Sequence, residues 1–287
     1  MSLVNLEYLF KDEEVLSQES LPDYASLDFV SRGSHIYGEI LWPHRLQKKK
    51  HPCVIMLHGF PGSARNDDIS HALCRIGCVV LVPHHRGAWG SEGKYLISNC
   101  VDDAVNLSNY ARSEDFVKHY NIDPSQIFLL GHSMGGNSAL NAGRQLDFIR
   151  GIIMLSPYDP TCFLKRGKEE YIKALLHEGH ILNSDGIDSI YQDIVEKAEN
   201  LSFINAFESV KNKNILIFAA KYDTVSANEE MVMPLWNKLK ENMMNRREKS
   251  NLPVQKLIEY PVEHGLLGRR ISMISEIAAF INDAGEN

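Results

Sequence analysis

No apolar run in the 287 residues approaches the roughly 18 needed to cross a bilayer. The opening stretch, MSLVNLEYLFKDEE, lacks the basic start and long apolar core of a secretory leader, although a tag scar in place of a native leader stays an open alternative. Positive charge is scarce: 30 Lys and Arg against 37 Asp and Glu leave a net charge of -7. Nucleic acid and anionic membranes both require a basic field, so neither is expected as a partner. The one basic run, QKKKHP at Gln47–Pro52, sits between apolar segments and reads as a solvated hairpin turn. Cysteines are few and odd in number: Cys53, Cys74, Cys78, Cys100 and Cys162. Scattered, several of them inside apolar runs, they read as small buried hydrophobes in a reducing compartment. A cytoplasmic enzyme is the expectation. Internal repeats and low-complexity tracts are absent as well.

What is present has a clear grammar. SLDFVSRG and SHIYGEILWP alternate roughly in period two around a glycine break, which predicts an antiparallel hairpin at a sheet edge. Beyond it, short runs that are apolar at every position alternate with amphipathic stretches. The runs are CVIMLH, CVVLVP, IFLL, GIIMLS, ILIFAA and QKLIEY. Strands of this kind are buried on both faces and covered by the intervening helices. Helices are predicted near 66–76, 101–120, after Ser133, 228–244 and 270–281. Asn121 and Gly77 fall where helices should stop. The fold class is therefore α/β: a doubly wound, mostly parallel sheet with an antiparallel start, in a single domain spanning 1–287.

The rhythm breaks once. TCFLKRGKEEYIKALLHEGH and IDSIYQDIVEKAENLSF read as helices with no strand between them. A 158–203 insertion after a strand's carboxyl end would lie over the crevice where such sheets bind ligands. It is read as a cap or lid, against the simpler alternative of packing on one sheet edge.

At the end of IFLL, Gly131-His132-Ser133-Met134-Gly135 fits G-x-S-x-G between strand and helix. A serine in a glycine-rich turn is commonly only a turn residue. In this setting the glycines permit a strained turn that exposes Oγ, and the helix beyond aims N–H groups at a developing oxyanion. Ser133 is thus the candidate nucleophile. A neutral hydroxyl needs a base, itself oriented by an acid, and on this sort of sheet the order is serine, acid, histidine. Of twelve histidines, only His177, His180 and His264 follow Ser133. The first two lie in the insertion, which leaves His264, in the loop after the last strand. For the acid, Asp223 follows ILIFAA at the right place, while Asp159 just past IIMLS is the competitor, with cap anchoring as its other role. Two oxyanion donors are required: the N–H of Met134, and one from HGFPGS after the first buried strand, for which Phe60 is the choice. The Phe60 side chain is equally consistent with an acyl pocket or plain core.

These features resemble the α/β-hydrolase superfamily. They are HGFPG, HHRGAWGSEG, GHSMGG, Tyr222–Asp223 and Glu263–Gly265, covering about residues 35 to 283. The likeness is greatest to single-domain serine hydrolases related to the prolyl-oligopeptidase catalytic domain and to dienelactone hydrolase-like esterases, in which R-G-x-x-G-S-x-G, here Arg86 to Gly93, is typical. The resemblance implies a triad on Ser133, Asp223 and His264, an acyl-enzyme and no cofactor. His84 and His85 stand where many relatives carry an acidic or aromatic residue; both are read as buried, satisfied loop histidines without function. No β-propeller precedes the domain, which weakens a peptidase reading. GSEGKY lacks phosphate-loop spacing, HEGH is one residue short of H-E-x-x-H, and GHSMGGN lacks the dinucleotide opening. Neither metal nor nucleotide is expected. The expected partner is a small acyl substrate, an ester first, with amide, thioester or a non-catalytic binding role as alternatives. Association with further copies of the chain stays open.

Overall fold

The structure is a computed structural model that describes residues 2–14, 16–18, 20–46, 49–176, 179–246 and 252–286. Its strands are β1 Asp23–Ser31, β2 Ser34–Trp42, β3 His51–Leu57, β4 Val79–Pro83, β5 Ile122–His132, β6 Ile149–Leu155, β7 Asn214–Ala220 and β8 Gln255–Tyr260. Its helices are α1 Asp67–Arg75, α2 Ile97–Ala111, α3 Glu114–Tyr120, α4 Met134–Gly143, α5 Lys168–Leu176, α6 Ile187–Leu201, α7 Phe203–Val210, α8 Asn228–Met231, α9 Met233–Met244 and α10 Arg270–Glu286.

One sheet holds the strands in the order β1-β2-β4-β3-β5-β6-β7-β8. β1 and β2 pair antiparallel, as does β2 with β4, and every other pair is parallel. The expected fold class is what the chain adopts. Every residue of β3, β4 and β7 is buried, because helices cover both faces, whereas edge strand β1 alternates toward its end. Two apolar clusters flank the sheet: one is centred on α2, α4 and α6, the other on α1 and α10. Among the described residues, no helix is long and apolar enough to cross a membrane.

Helix ends follow local chemistry. At the end of α1, Gly77 takes φ +112°, its N–H reaches Cys74 O and the Cys78 N–H reaches Leu73 O. That is a Schellman closure, and the positive φ is the reason for glycine there. The helix expected over 101–120 is instead two, because Ser113 leaves helical geometry and its side chain accepts the Phe116 N–H to start α3. The helix expected over 228–244 also divides, at Val232, ahead of Pro234. The segment Gln47–Pro52 is not a hairpin turn. β4 pairs with both β2 and β3 and lies between them, so these two strands are not hairpin neighbours, and His51 and Pro52 already belong to β3; Gln47 and Lys48 lie outside the described residues.

Between β6 and β7 no strand intervenes among the described residues, as expected, but the helical content is rearranged. Gly167 at φ +91° separates a 3-10 turn at Pro160–Arg166 from α5, and α7 was not foreseen. The HEGH stretch lies partly outside the described residues, which omit His177 and Glu178. The insertion is fastened to the loop after β4. Asn183 donates its N–H to Gly87 O and its side-chain amide to Gly93 O, and accepts the Tyr95 N–H on its carbonyl. That loop is itself pinned from below by Arg86, which is buried and paired with Asp103 of α2 and Ser31 of β1. A buried arginine is tolerable only with such complete partnering.

Candidate functional site

β5 runs straight into α4 through Ser133, which adopts φ 55°, ψ −118°. A non-glycine residue held there is strained, and strain of this kind persists only where its surroundings over-determine it. The surroundings do so. A Cβ on Gly131 would fall 2.0 Å from Gly135 O, and one on Gly135 2.0 Å from Leu57 O. Both positions are closed to any side chain, because the elbow folds back on itself and sits on the end of β3. The Ser133 N–H is bonded to Leu155 O at the tip of β6, and its carbonyl accepts from the N–H groups of Gly136 and Tyr158. Ser133 is 7% exposed.

The loops after β7 and β8 bring Asp223 and His264 together: His264 Nδ1 lies 2.8 Å from Asp223 Oδ2. The other carboxylate oxygen accepts the N–H groups of Val225 and Ser226. Burial alone would raise the Asp223 carboxyl, but the His264 hydrogen bond and these two N–H donors outweigh it and hold it below the usual carboxylate range. With Asp223 as acceptor, Nδ1 of His264 carries the proton and Nε2 is free to act as a base. The His264 ring stands 5.0 Å from that of His132, the residue before Ser133, and His132 Nε2 lies 3.2 Å from His264 O. Burial and the neighbouring His264 push His132 down to about 4, so it is a neutral prop. The hydrogen bonds of the described residues include the Asp223–His264 link but none between Ser133 Oγ and His264. Catalytic contacts of this sort often close only with substrate in place.

Asp159, the competing acid, meets no histidine. It accepts from Thr161 N, Thr161 Oγ1 and Phe203 N, so it joins the first and last turns of the insertion at their base. Burial raises its carboxyl above the usual range.

The second expected oxyanion donor lies in the loop after β3, which passes directly over the elbow. A Cβ on Gly59 would approach Ser133 Cβ to 3.0 Å, so only glycine allows this close passage without a shift. His58 sets the orientation of the next peptide. Its Nε2 accepts the His85 N–H, which leaves the proton on Nδ1, and Nδ1 donates to Gly59 O at 2.7 Å. With the Gly59 carbonyl held, the planar trans peptide turns the Phe60 N–H to the opposite side. Neither that N–H nor the Met134 N–H donates to a partner among the described residues. His58 is fully buried and its pKa lies well below the ordinary histidine value, from burial first and then from His85. His85 is satisfied as expected, its Nε2 donating to His58 O. His84 departs from expectation, since its buried Nδ1 has no hydrogen-bond partner among the described residues. The roles of His58 and His132 were missed in the sequence; the signal there was a histidine directly before Gly59 and another directly before Ser133.

The insertion reaches this site. A Cβ on Gly179 would lie 3.0 Å from Phe60 Cζ, and the Phe60 ring meets Tyr95 edge-on at 5.7 Å.

The sequence matches the alpha/beta hydrolase fold family over residues 54–250. A gibberellin receptor from Arabidopsis thaliana is 31% identical over 153 residues, 45% of this chain and 43% of the receptor. The chain spans less than half the length of the curated relatives it matches. Among solved structures, brefeldin A esterase, a bacterial homologue of human hormone sensitive lipase, superposes with a TM-score of 0.67 at 16% identity, covering 97% of this chain and 81% of the esterase. Porphyromonas gingivalis dipeptidyl peptidase 4 superposes with a TM-score of 0.66 at 16% identity, covering 92% of this chain and 36% of the peptidase. At these identities the likeness is one of fold.

Proposed function

The chain belongs to the alpha/beta hydrolase fold family, and from that premise we propose that it is a serine hydrolase cleaving a carboxylic ester of a small or medium acyl group. The observation that carries this reading is the Asp223–His264 hydrogen bond, formed beside a serine held at φ 55° on a strand-to-helix elbow. Ser133 Oγ attacks the carbonyl carbon while His264 Nε2 takes its proton. The imidazolium that forms is stabilised by Asp223. Charge gathers on the carbonyl oxygen and is met by the N–H groups of Met134 and Phe60. Collapse expels the alcohol, which takes the proton from His264, and water activated by the same imidazole then releases the acid from Ser133. The 158–203 segment acts as the cap over this site. The reaction needs no cofactor.

A second reading has one observation in its favour: a curated relative is named as a receptor. A binding protein of this fold would hold its ligand under the cap without turnover. Labelling with a fluorophosphonate separates the two. The hydrolase labels at Ser133, and the Ser133→Ala variant neither labels nor hydrolyses p-nitrophenyl acetate or butyrate, retaining at most about 10⁻³ of the wild-type rate. A Ser133→Ala protein with wild-type turnover sinks the hydrolase reading, and a wild-type protein that never labels favours the receptor-like one.

A further inference from the structure

The loop after β4 contributes no member of the triad, yet it grips the loop that crosses the elbow. Within it the Ser91 N–H closes a turn on Ala88 O, and both central residues hold positive φ, Trp89 at 49° and Gly90 at 96°. Two positive values in succession are the pattern of a type I′ turn, which favours asparagine, aspartate or glycine at its central places. A bulky residue at the first of them is a conformational outlier of the kind that collects at functional sites. Trp89 is also 49% exposed, so core packing is not what holds it there.

Its side chain supplies the reason. The indole Nε1–H donates to Pro61 O at 3.0 Å. A Cβ on Gly62 would fall 2.7 Å from that nitrogen and 2.5 Å from His58 Cε1, so Gly62 lies close against both rings. Phe60 therefore sits between two fixed carbonyls. Gly59 O is held by His58, and Pro61 O by Trp89. An indole nitrogen is a donor only, so this bond has one direction and no competing tautomer. His58 in turn accepts the His85 N–H, so the loop after β4 holds the crossing loop at two points, through His85 and through Trp89.

We infer that Trp89 is a positioning residue for the oxyanion hole: its indole N–H fixes the Pro61 carbonyl and so keeps the Phe60 N–H aimed at the place where negative charge develops. This inference rests on the hydrolase reading and adds to it a residue outside the triad and the two donors. Its effect belongs to the transition state. A donor that drifts leaves the neutral ester carbonyl almost as well bound, whereas the oxyanion, whose hydrogen bonds are charge-assisted, loses far more.

The test removes the N–H and keeps an aromatic ring. Wild type is compared with Trp89→Phe and with a protein in which 3-benzothienylalanine, a tryptophan isostere with sulfur in place of N–H, replaces Trp89. The readouts are kcat and KM for p-nitrophenyl acetate, with active sites counted by fluorophosphonate titration. Inhibition is measured with a trifluoromethyl ketone, whose carbonyl carbon takes Ser133 Oγ to give a hemiketal oxyanion while His264 keeps the proton, and with the matching methyl ketone, which binds without that addition. Both replacements should lower kcat about tenfold with KM within about twofold. The trifluoromethyl ketone should weaken by the same factor as kcat/KM, and the methyl ketone should bind as to wild type. A residue that serves stability alone would reduce the number of titratable serines and leave kcat per titrated site at the wild-type value, and that result overturns the inference. So does a lower kcat with unaltered trifluoromethyl ketone binding, or equal weakening of both ketones. If Trp89→Phe does not fold, the benzothienyl protein decides. A wild type that neither labels nor hydrolyses the ester sinks the hydrolase reading and this inference together, whereas an active wild type with fully active replacements sinks the inference alone.

Discussion

The loops after β6 and β7 are built alike yet do different work. Each begins at the carboxyl end of a buried parallel strand, and each places an aspartate within a few residues of it, Asp159 in one and Asp223 in the other. Each aspartate accepts hydrogen bonds from two backbone N–H groups. The difference is one neighbour. Asp223 has an oxygen left for His264 and sits below the usual carboxylate range, whereas Asp159 closes the base of the insertion and sits above it. Position at a strand end qualifies a carboxylate as a triad acid only when an imidazole arrives opposite it. Burial without that partner turns the same side chain into a structural clip.

The largest expected break in this comparison is Asp223→Asn. It keeps the shape but loses the tautomer control on His264, so kcat for p-nitrophenyl acetate should fall by about 10⁴-fold. Asp159→Ala should do the reverse. It strands the buried Phe203 N–H and the half-buried Thr161 donors, so urea denaturation should show a loss of about 2 kcal/mol, with kcat falling far less than for Asp223→Asn.

Stability against pH sharpens the contrast. The depressed Asp223 carboxyl contributes stability above its unfolded value, near 3.9, that is lost as pH falls through the lower folded value. Asp159 is raised, so what it contributes is complete below the unfolded value and is lost as pH rises through the folded one. The stability gap between wild type and Asp223→Asn should therefore widen from pH 3 to 5, while the gap to Asp159→Asn should narrow as pH rises above about 4. Urea midpoints across that range measure both.

The smallest effect belongs to Ser226, whose buried hydroxyl donates to Pro157 O and so ties the two loops together. Ser226→Ala leaves its N–H on Asp223 but strands that carbonyl. A cost of about 1 kcal/mol in urea denaturation and a drop in kcat/KM of less than tenfold are expected.

Much of this arrangement could be read along the chain. The strand order of apolar runs, the edge hairpin and the elbow at Gly131–Gly135 are local patterns, and the structure repeats them. The breaks in the long helices were less visible, because a side-chain cap at Ser113 competes with a continuous amphipathic stripe that looks unbroken. The separation of β2 from β3 was hidden for another reason. A polar segment between two strands does not reveal that a later strand, β4, will slide between them.

The sequence by itself determined the elbow and the layered sheet. A glycine's missing Cβ and a strand's unbroken apolar run act over a few residues, wherever the rest of the chain lies. Only the tertiary structure decided which aspartate faces His264, across 41 residues, and which way the Gly59–Phe60 peptide turns, through His58 and its neighbour His85, 27 residues on. Hydrogen bonds between distant loops depend on where the strands deliver those loops, and no local pattern of residues encodes that delivery.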